Sequence, residues 1–422
     1  MLLDVNSTIA GLAASYMRPY RAGITLSAVD NAHLHWADYR DPQWGGYTPI
    51  GTRTNRLLRI NIIGGKLHYV SCTGSKSLRR ILRQKVLLRL LQSVLDQYAL
   101  PDVDFVVSIS DRPTVPRHAI PPGTTPPPVF AYATTPAHHS VPFPTVSFDP
   151  LRWPALHARI GSQPTLATRT PKALWRGTCN SLCDMMRGRR CALPKDAELL
   201  PRQQLLKAAA QCPASCDVGV TATHKNCAGF PPRAPKTMMQ HARYALLVHV
   251  DGNGFSGRLD ELLTLGGAIL KQDSPFSAYY YPLLQRGVHF QPLARNLSDL
   301  CHASSSLLAA FGPSSGISNG LAAKLGEAAM AFASRYLSPE AVARYVLILL
   351  REYATLQRFV PRVHPDAVSW RDQTPGTGNR AGNIRQHRAR TRATSMGASA
   401  EGCSDDRCCQ RHPKACARRA HT

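Results

Sequence analysis

YALLVHVDGNGFSGRLDELLTLGGAILK, residues 244 to 271, reads as strand, glycine loop, helix and strand in succession. Leu246 to Val250 is a short apolar run rich in β-formers, and it stops at the turn-formers Asp251-Gly252-Asn253-Gly254. Ser256 is expected as the N-cap of a helix whose apolar face is Leu259, Leu262, Leu263 and Leu265. Gly266-Gly267 ends that helix before Ala268-Ile269-Leu270. This order is a βαβ unit, which commits the chain to the α/β class. The loop at the carboxyl end of such a strand exposes backbone N–H groups suited to an anion, and Arg258 adds a charged fork. On spacing alone an Asp-Gly-Asn-Gly loop is more often an ordinary tight turn.

Working outward, the chain offers further units of this kind. Leu57 to Val70 alternates around Gly64-Gly65 and predicts a hairpin. A helix is expected from about Ser77 to Tyr98, with Leu82, Val86, Leu87, Leu90, Leu91, Val94 and Leu95 on its apolar face and arginines on the other. Phe105 to Ile109 predicts a buried strand that delivers Asp111, in Ser110-Asp111-Arg112-Pro113, to its carboxyl end, where α/β folds keep their chemistry. A lone Asp before a proline there is also an ordinary turn cap. Leu174-Trp175-Arg176-Gly177-Thr178 predicts a strand running into a turn, and helices are expected over Arg202–Ala210, Leu297–Phe311, Leu321–Tyr336 and Pro339–Phe359. From about residue 366 the sequence loses all periodicity, which predicts a disordered basic tail. There is no internal repeat.

At 422 residues and 44% hydrophobic content the chain fits two domains and a tail. A formal charge of +25 would suit a polyanion. Yet the arginines are scattered, the densest cluster (Arg385 to Arg392) lies in the tail, and no nucleic-acid-binding motif accompanies it, so no specific nucleic-acid partner is expected. Of twelve cysteines, six fall between Cys179 and Cys227. Zinc would tolerate the spacings Cys179/Cys183 and Cys212/Cys216, but there is no compact knuckle, so disulfides or free thiols are the preferred reading and no metal is expected. Asn6 and Asn296 open glycosylation sequons. No apolar run is long enough for a membrane span, and the first twenty residues, with Asp4 and no basic start, are a poor export signal.

Four blocks occur in order: LPDVDFVVSISDRPTVP (100–116), WRGT (175–178) with Arg202 downstream, RYALLVHVDGNGFSGRLDELLTLGGAILKQDS (243–274) and YYYPLLQRGVHFQPLARNLSDL (279–300). Over about residues 55 to 360 they resemble glycosyltransferase family 90, the family of protein O-glucosyltransferases and capsule xylosyltransferases. The resemblance implies a GT-B fold, two facing Rossmann-like domains with a cleft between them. It sets an acceptor-side domain at 55–165 after a partly ordered N-terminal segment (1–54), a UDP-sugar domain at 166–338, a helix packing back at 339–362 and the tail at 366–422. It implies an inverting, metal-independent transfer of glucose or xylose from a UDP-sugar to a protein or glycan hydroxyl, by a monomer in the lumen of the endoplasmic reticulum or Golgi. Asp111 takes the place of the catalytic base. Arg176, Arg202 and Arg258 neutralise the leaving UDP, and Thr178, Asn253, Gly254, Phe255 and Ser256 line the diphosphate or uridine. Trp175 and His289 are expected to contact substrate. Three positions depart from the family pattern: Ala278 stands for a glutamate, Gly257 for a bulky residue before the motif arginine, and Arg286-Gly287 for proline-tryptophan. They leave room for a second reading, a catalytically weak member acting as a glycan-binding or scaffold protein.

Overall fold

The computed structural model describes residues 4–34, 57–71, 78–179, 201–222, 229–252, 254–309 and 320–370. Its elements form two sheets. Helices α1 (Val5–Met17) and α2 (Leu26–Leu34) come first, then the strands β1 (Leu57–Ile63) and β2 (Lys66–Ser71). Helix α3 (Leu78–Leu95) leads to β3 (Val103–Ser108), β4 (Val129–Ala131) and β5 (Val141–Pro142), and α4 (Trp153–His157) follows. The second half runs β6 (Thr170–Gly177), α5 (Pro201–Ala210), β7 (Cys216–Val220), α6 (Met238–His241), β8 (Tyr244–His249), α7 (Arg258–Leu262), β9 (Ala268–Gln272), β10 (Gln291–Leu293) and α8 (Leu300–Leu308). Helices α9 (Leu321–Tyr336) and α10 (Pro339–Leu356) and the strand β11 (Val368–Ser369) close the chain's described part.

The first sheet has the order β11-β2-β1-β3-β4-β5 and the second β10-β9-β8-β6-β7. The second is parallel throughout, as βα units require. The first is mixed: β3, β4 and β5 are parallel, but β1 returns antiparallel to both β2 and β3. The cause is the Gly64-Gly65 turn, whose two positive φ values (55° and 71°) suit a two-residue hairpin and leave no room for a crossover helix. Arg59, buried on β1, bonds both oxygens of Asp104 on β3 (2.8 and 2.6 Å) and also Asp30 on α2 (2.6 Å), which ties the N-terminal helices to this sheet.

Both faces of the second sheet are covered, so its strands are apolar without alternation. Leu246, Val248 and Leu270 face one cluster with Leu205 of α5 and Leu300 of α8, whereas Leu247 and Ile269 join the larger core that runs through α9, α10 and the first sheet. The Gly266-Gly267 turn is crossed closely by α9: a Cβ on Gly326 would lie 2.4 Å from the Gly266 carbonyl oxygen. Helix α10 returns to the first sheet, where Tyr345 donates to the Pro142 carbonyl (2.7 Å) and Tyr353 to the Asp104 carbonyl (2.9 Å), and α1 packs along it.

Two sequence expectations change. Residues 366–370 do not belong to an unstructured tail: β11 pairs with β2, the Trp370 amide donates to the Leu67 carbonyl, and its ring packs edge-on against Tyr69. The expected tail from 371 onward lies outside the described residues. The helix after the glycine loop is one short turn capped by Gly257, not Ser256, with no side-chain cap, and the Ser256 amide donates to Asp251 Oδ1 (2.8 Å). Disulfides and free thiols, the preferred reading of the cysteines, are both present among the described residues: Cys212 pairs with Cys301, tying the end of α5 to α8, and Cys216 is a buried free thiol beside it. Cys183, Cys191 and Cys227 lie outside the described residues.

Among the described residues no helix is long and apolar enough to cross a membrane, and no group of three His, Cys, Asp or Glu side chains could hold a metal ion.

Candidate functional site

The two sheets meet where their strands end. Asp111 follows β3, and its carbonyl accepts the Phe255 amide at 2.8 Å. The glycine loop is drawn so close that a Cβ on Gly254 would sit 2.5 Å from that same oxygen. A second junction is the pair of backbone bonds between Thr134 and Ser277, both 2.9 Å. Gly254→Ala is therefore expected to push the loop off Asp111, costing about 1–3 kcal/mol of stability in urea unfolding, together with a fall in turnover.

The Asp111 side chain is about half exposed and is held by Arg83 of α3, whose Nη2 donates to Oδ1 at 2.6 Å while Nη1 holds the Ile109 carbonyl (2.9 Å). Among the described residues only Oδ1 is engaged, so Oδ2 is available to accept a proton. Arg83 escapes a sequence reading because it lies on a helix with several other arginines, and only the fold shows which one turns toward the strand end.

Three arginines gather around the loop. Arg202 Nη1 donates to the Thr178 carbonyl (2.8 Å), and its guanidinium lies against Gly252, where a Cβ would meet Nη2 at 3.0 Å. Arg258 lies beside Gly177 in the same way (3.3 Å). Both stack over Trp175, at 5.7 and 5.6 Å from the ring centroid. Arg112 reaches the loop from the other half, its Cγ 3.2 Å from the Gly254 Cβ position. Arg202 Nε, Arg258 Nη1 and Arg112 Nη2 are all sealed from solvent and have no hydrogen-bond partner among the described residues. Burial lowers the pKa of all three, that of Arg258 to about 10 with Arg202 as a second cause. Buried guanidinium donors without acceptors are costly, and an anion with several oxygens relieves that cost.

The site residues expected from sequence divide accordingly. Asp111, Thr178, Arg202, Gly254, Phe255 and Arg258 come together. Ser256 faces Asp251 through its amide, and its carbonyl is bonded to His249 Nε2 at 3.1 Å. Trp175 is 1% exposed, so it supports the arginines from below and does not offer a surface to substrate. Arg176 is not part of the cluster. Alternation along β6 sends it to the opposite face from Trp175, where it bonds the Asp217 carboxylate (2.6 Å), which Arg233 and Tyr244 also hold. His289 is likewise elsewhere: its Nδ1 accepts the Gln285 amide at 2.9 Å and its ring packs on Phe332. Asn253 lies outside the described residues.

The positions that depart from the family pattern have structural counterparts. Ala278 is wholly buried in the large core cluster. A Cβ on Gly257 would touch Asp260 Oδ2, Ser147 Oγ and Thr145 Oγ1, each at 3.4 Å. Asp260, missed in the sequence reading as one more acidic residue on a short helix, is fully buried and accepts hydroxyls from Thr145 (2.6 Å) and Tyr280 (2.7 Å). The space of a bulky residue at 257 is thus taken by a hydroxyl network joining the two halves. Burial raises the Asp260 pKa to about 6. From about pH 4 to about pH 6 the folded chain therefore keeps a proton that the unfolded chain has lost, and this group's contribution to stability declines as pH rises through that window. Relative to Asp260→Asn, the wild-type chain should lose about 2 kcal/mol of unfolding free energy between pH 4.5 and pH 7, read from urea melts, where pH values are set by the same window.

The model of glycosyl transferase family 90 matches residues 50–413, most of the chain. The chain belongs to glycosyl transferase family 90. Among curated proteins it is similar to protein O-glucosyltransferase 1 of Rattus norvegicus, 24% identical over 211 residues, covering 48% of this chain and 51% of that protein. Protein O-glucosyltransferase 2 of Danio rerio is 25% identical over 312 residues, covering 70% of this chain and 55% of that protein. This family 90 chain thus spans about half the length of the curated relatives it matches. A crystal structure of Anabaena Alr3699/HepE in complex with UDP-glucose aligns with 49% of this chain and 52% of its own at 13% identity, with a TM-score of 0.26, too low to carry an argument.

Proposed function

We propose that this family 90 member is an inverting glycosyltransferase that moves glucose or xylose from a UDP-sugar to a hydroxyl of a protein or glycan, in a GT-B arrangement of two facing halves, 55–165 and 166–338. The observation that carries the reading is the pair Arg202 and Arg258, stacked on one buried tryptophan with sealed, unpartnered nitrogens, directly across the glycine loop from Asp111. The donor's diphosphate takes the place of their missing acceptors.

In the reaction the acceptor hydroxyl gives its proton to Asp111 Oδ2 as its oxygen attacks the anomeric carbon from the face opposite UDP. The bond from that carbon to the β-phosphate oxygen breaks, its electron pair leaving with UDP, and Arg202 and Arg258 offset the charge that appears. Arg83 keeps the carboxylate aimed. The Cys212–Cys301 disulfide supports residence in an oxidising compartment such as the endoplasmic reticulum or Golgi lumen. Burial of Ala278 in the core favours this reading over a glycan-binding scaffold, because position 278 lies within an apolar cluster.

Calorimetric titration with UDP-glucose, UDP-xylose and ADP-glucose tests donor recognition. One of the uridine donors should bind in the range of about 1 μM to 1 mM usual for enzyme substrates, and binding of none of them would reject the assignment.

A further inference from the structure

We propose that Arg112 is a third phosphate ligand, supplied from the first sheet beside the base, and that it acts on the charge that develops on departing UDP more than on the bound donor. This rests on the reading of the site as a UDP-sugar transferase.

Arg112 follows Asp111 directly, and its side chain packs against Gly254. No side-chain hydrogen bond is made by its guanidinium among the described residues, and Nη2 is sealed from solvent. The neighbouring carboxylate, Asp111, is already engaged by Arg83 at 2.6 Å. Arg112 is therefore a cation held in place by packing, with its fork unfilled, at the end of the loop nearest the base.

Charge counting gives it a role that Arg202 and Arg258 do not fill. A UDP-sugar carries about two negative charges on its diphosphate, which two arginines balance, and UDP gains about one more as the bond to the anomeric carbon breaks. The proton released by the acceptor hydroxyl goes to Asp111, so it does not neutralise the new charge. In an inverting transfer the bond breaks on the face of the anomeric carbon opposite the base, toward the arginine-lined loop, and Arg112, although it follows the base in the chain, packs its side chain against Gly254 of that loop. It also links the halves: a phosphate bound to Arg112, Arg202 and Arg258 together holds Asp111 against the loop.

The test compares wild type, Arg112→Met and Arg112→Lys for UDP affinity by calorimetry, for turnover of UDP-glucose and UDP-xylose, and for thermal unfolding without ligand. Arg112→Met should reduce kcat about 100-fold and weaken UDP at least about tenfold, with donor KM changing less than about threefold. Arg112→Lys should recover part of both losses. Unliganded Arg112→Met should melt no lower than wild type, since it sheds a buried unpaired charge. Equal weakening of UDP and donor, or unchanged kcat and UDP affinity in Arg112→Met, overturns the proposal. A lower melting point for Arg112→Met with no recovery in Arg112→Lys also overturns it, as the mark of a structural role. Wild-type protein that neither binds UDP nor turns over a donor would instead remove the transferase reading on which the proposal stands.

Discussion

Asp111→Asn is expected to lower transfer by about 100- to 10,000-fold, the range attributable to a positioned general base. The amide keeps the carboxylate's shape and still accepts from Arg83 through its oxygen, but it cannot take the acceptor's proton. UDP affinity should stay within about twofold of wild type, an energy of less than about 0.5 kcal/mol. The reason is geometric: the loop is fixed to residue 111 through the main-chain carbonyl, which accepts the Phe255 amide, and not through the side chain. Product formation under saturating donor, measured beside calorimetric UDP binding, separates the two effects. Wild-type turnover in this variant would remove Asp111 from the mechanism.

Arg258→Ala has the opposite signature. Its guanidinium bonds to no described residue, is sealed at Nη1, and stands beside a second cation, Arg202, that already depresses its pKa. Loss of a charge-assisted fork to phosphate should cost about 2–3 kcal/mol of UDP binding, or about 30- to 150-fold in affinity. The same change relieves like-charge repulsion in the empty site, so the unliganded protein should melt at the same temperature as wild type or above it. Weaker binding combined with unchanged or higher stability distinguishes a ligand-binding arginine from a structural one. Arg176 supplies the contrast: it bonds both the main-chain carbonyl and the carboxylate of Asp217, so Arg176→Ala should destabilise the chain and leave UDP binding nearly unchanged.

What could be read from the sequence follows the range of the interactions involved. The β8–loop–α7–β9 unit was legible because strand, turn and glycine signals are local, and the parallel second sheet follows from it. Local signals misjudge caps: Ser256 has the right chemistry for an N-cap, but the helix starts one residue later, after Gly257, without a side-chain cap. The motif residues Asp111, Arg202 and Arg258 are legible as a group, whereas the separation of Arg176 from them is hidden by its adjacency to Trp175, because alternation along β6 sends the two to opposite faces. Arg83, Arg112 and Asp260 were not legible. Each acts through a partner 28 or more residues away in the chain or through a close approach of two loops, as Arg83 to Asp111 and Thr145 to Asp260 show. The tail boundary moved for a similar reason, since β11 is two residues long and exists only as an addition to the edge of β2.

The central claim is that the arginine-lined loop and Asp111 form one UDP-sugar transferase site. Its most direct test is UDP release from a panel of UDP-sugars incubated with the wild-type chain, with Asp111→Asn as the control. Release from UDP-glucose or UDP-xylose is expected from the wild type, and its loss in the variant. Release from no UDP-sugar, or equal release by both proteins, would contradict it.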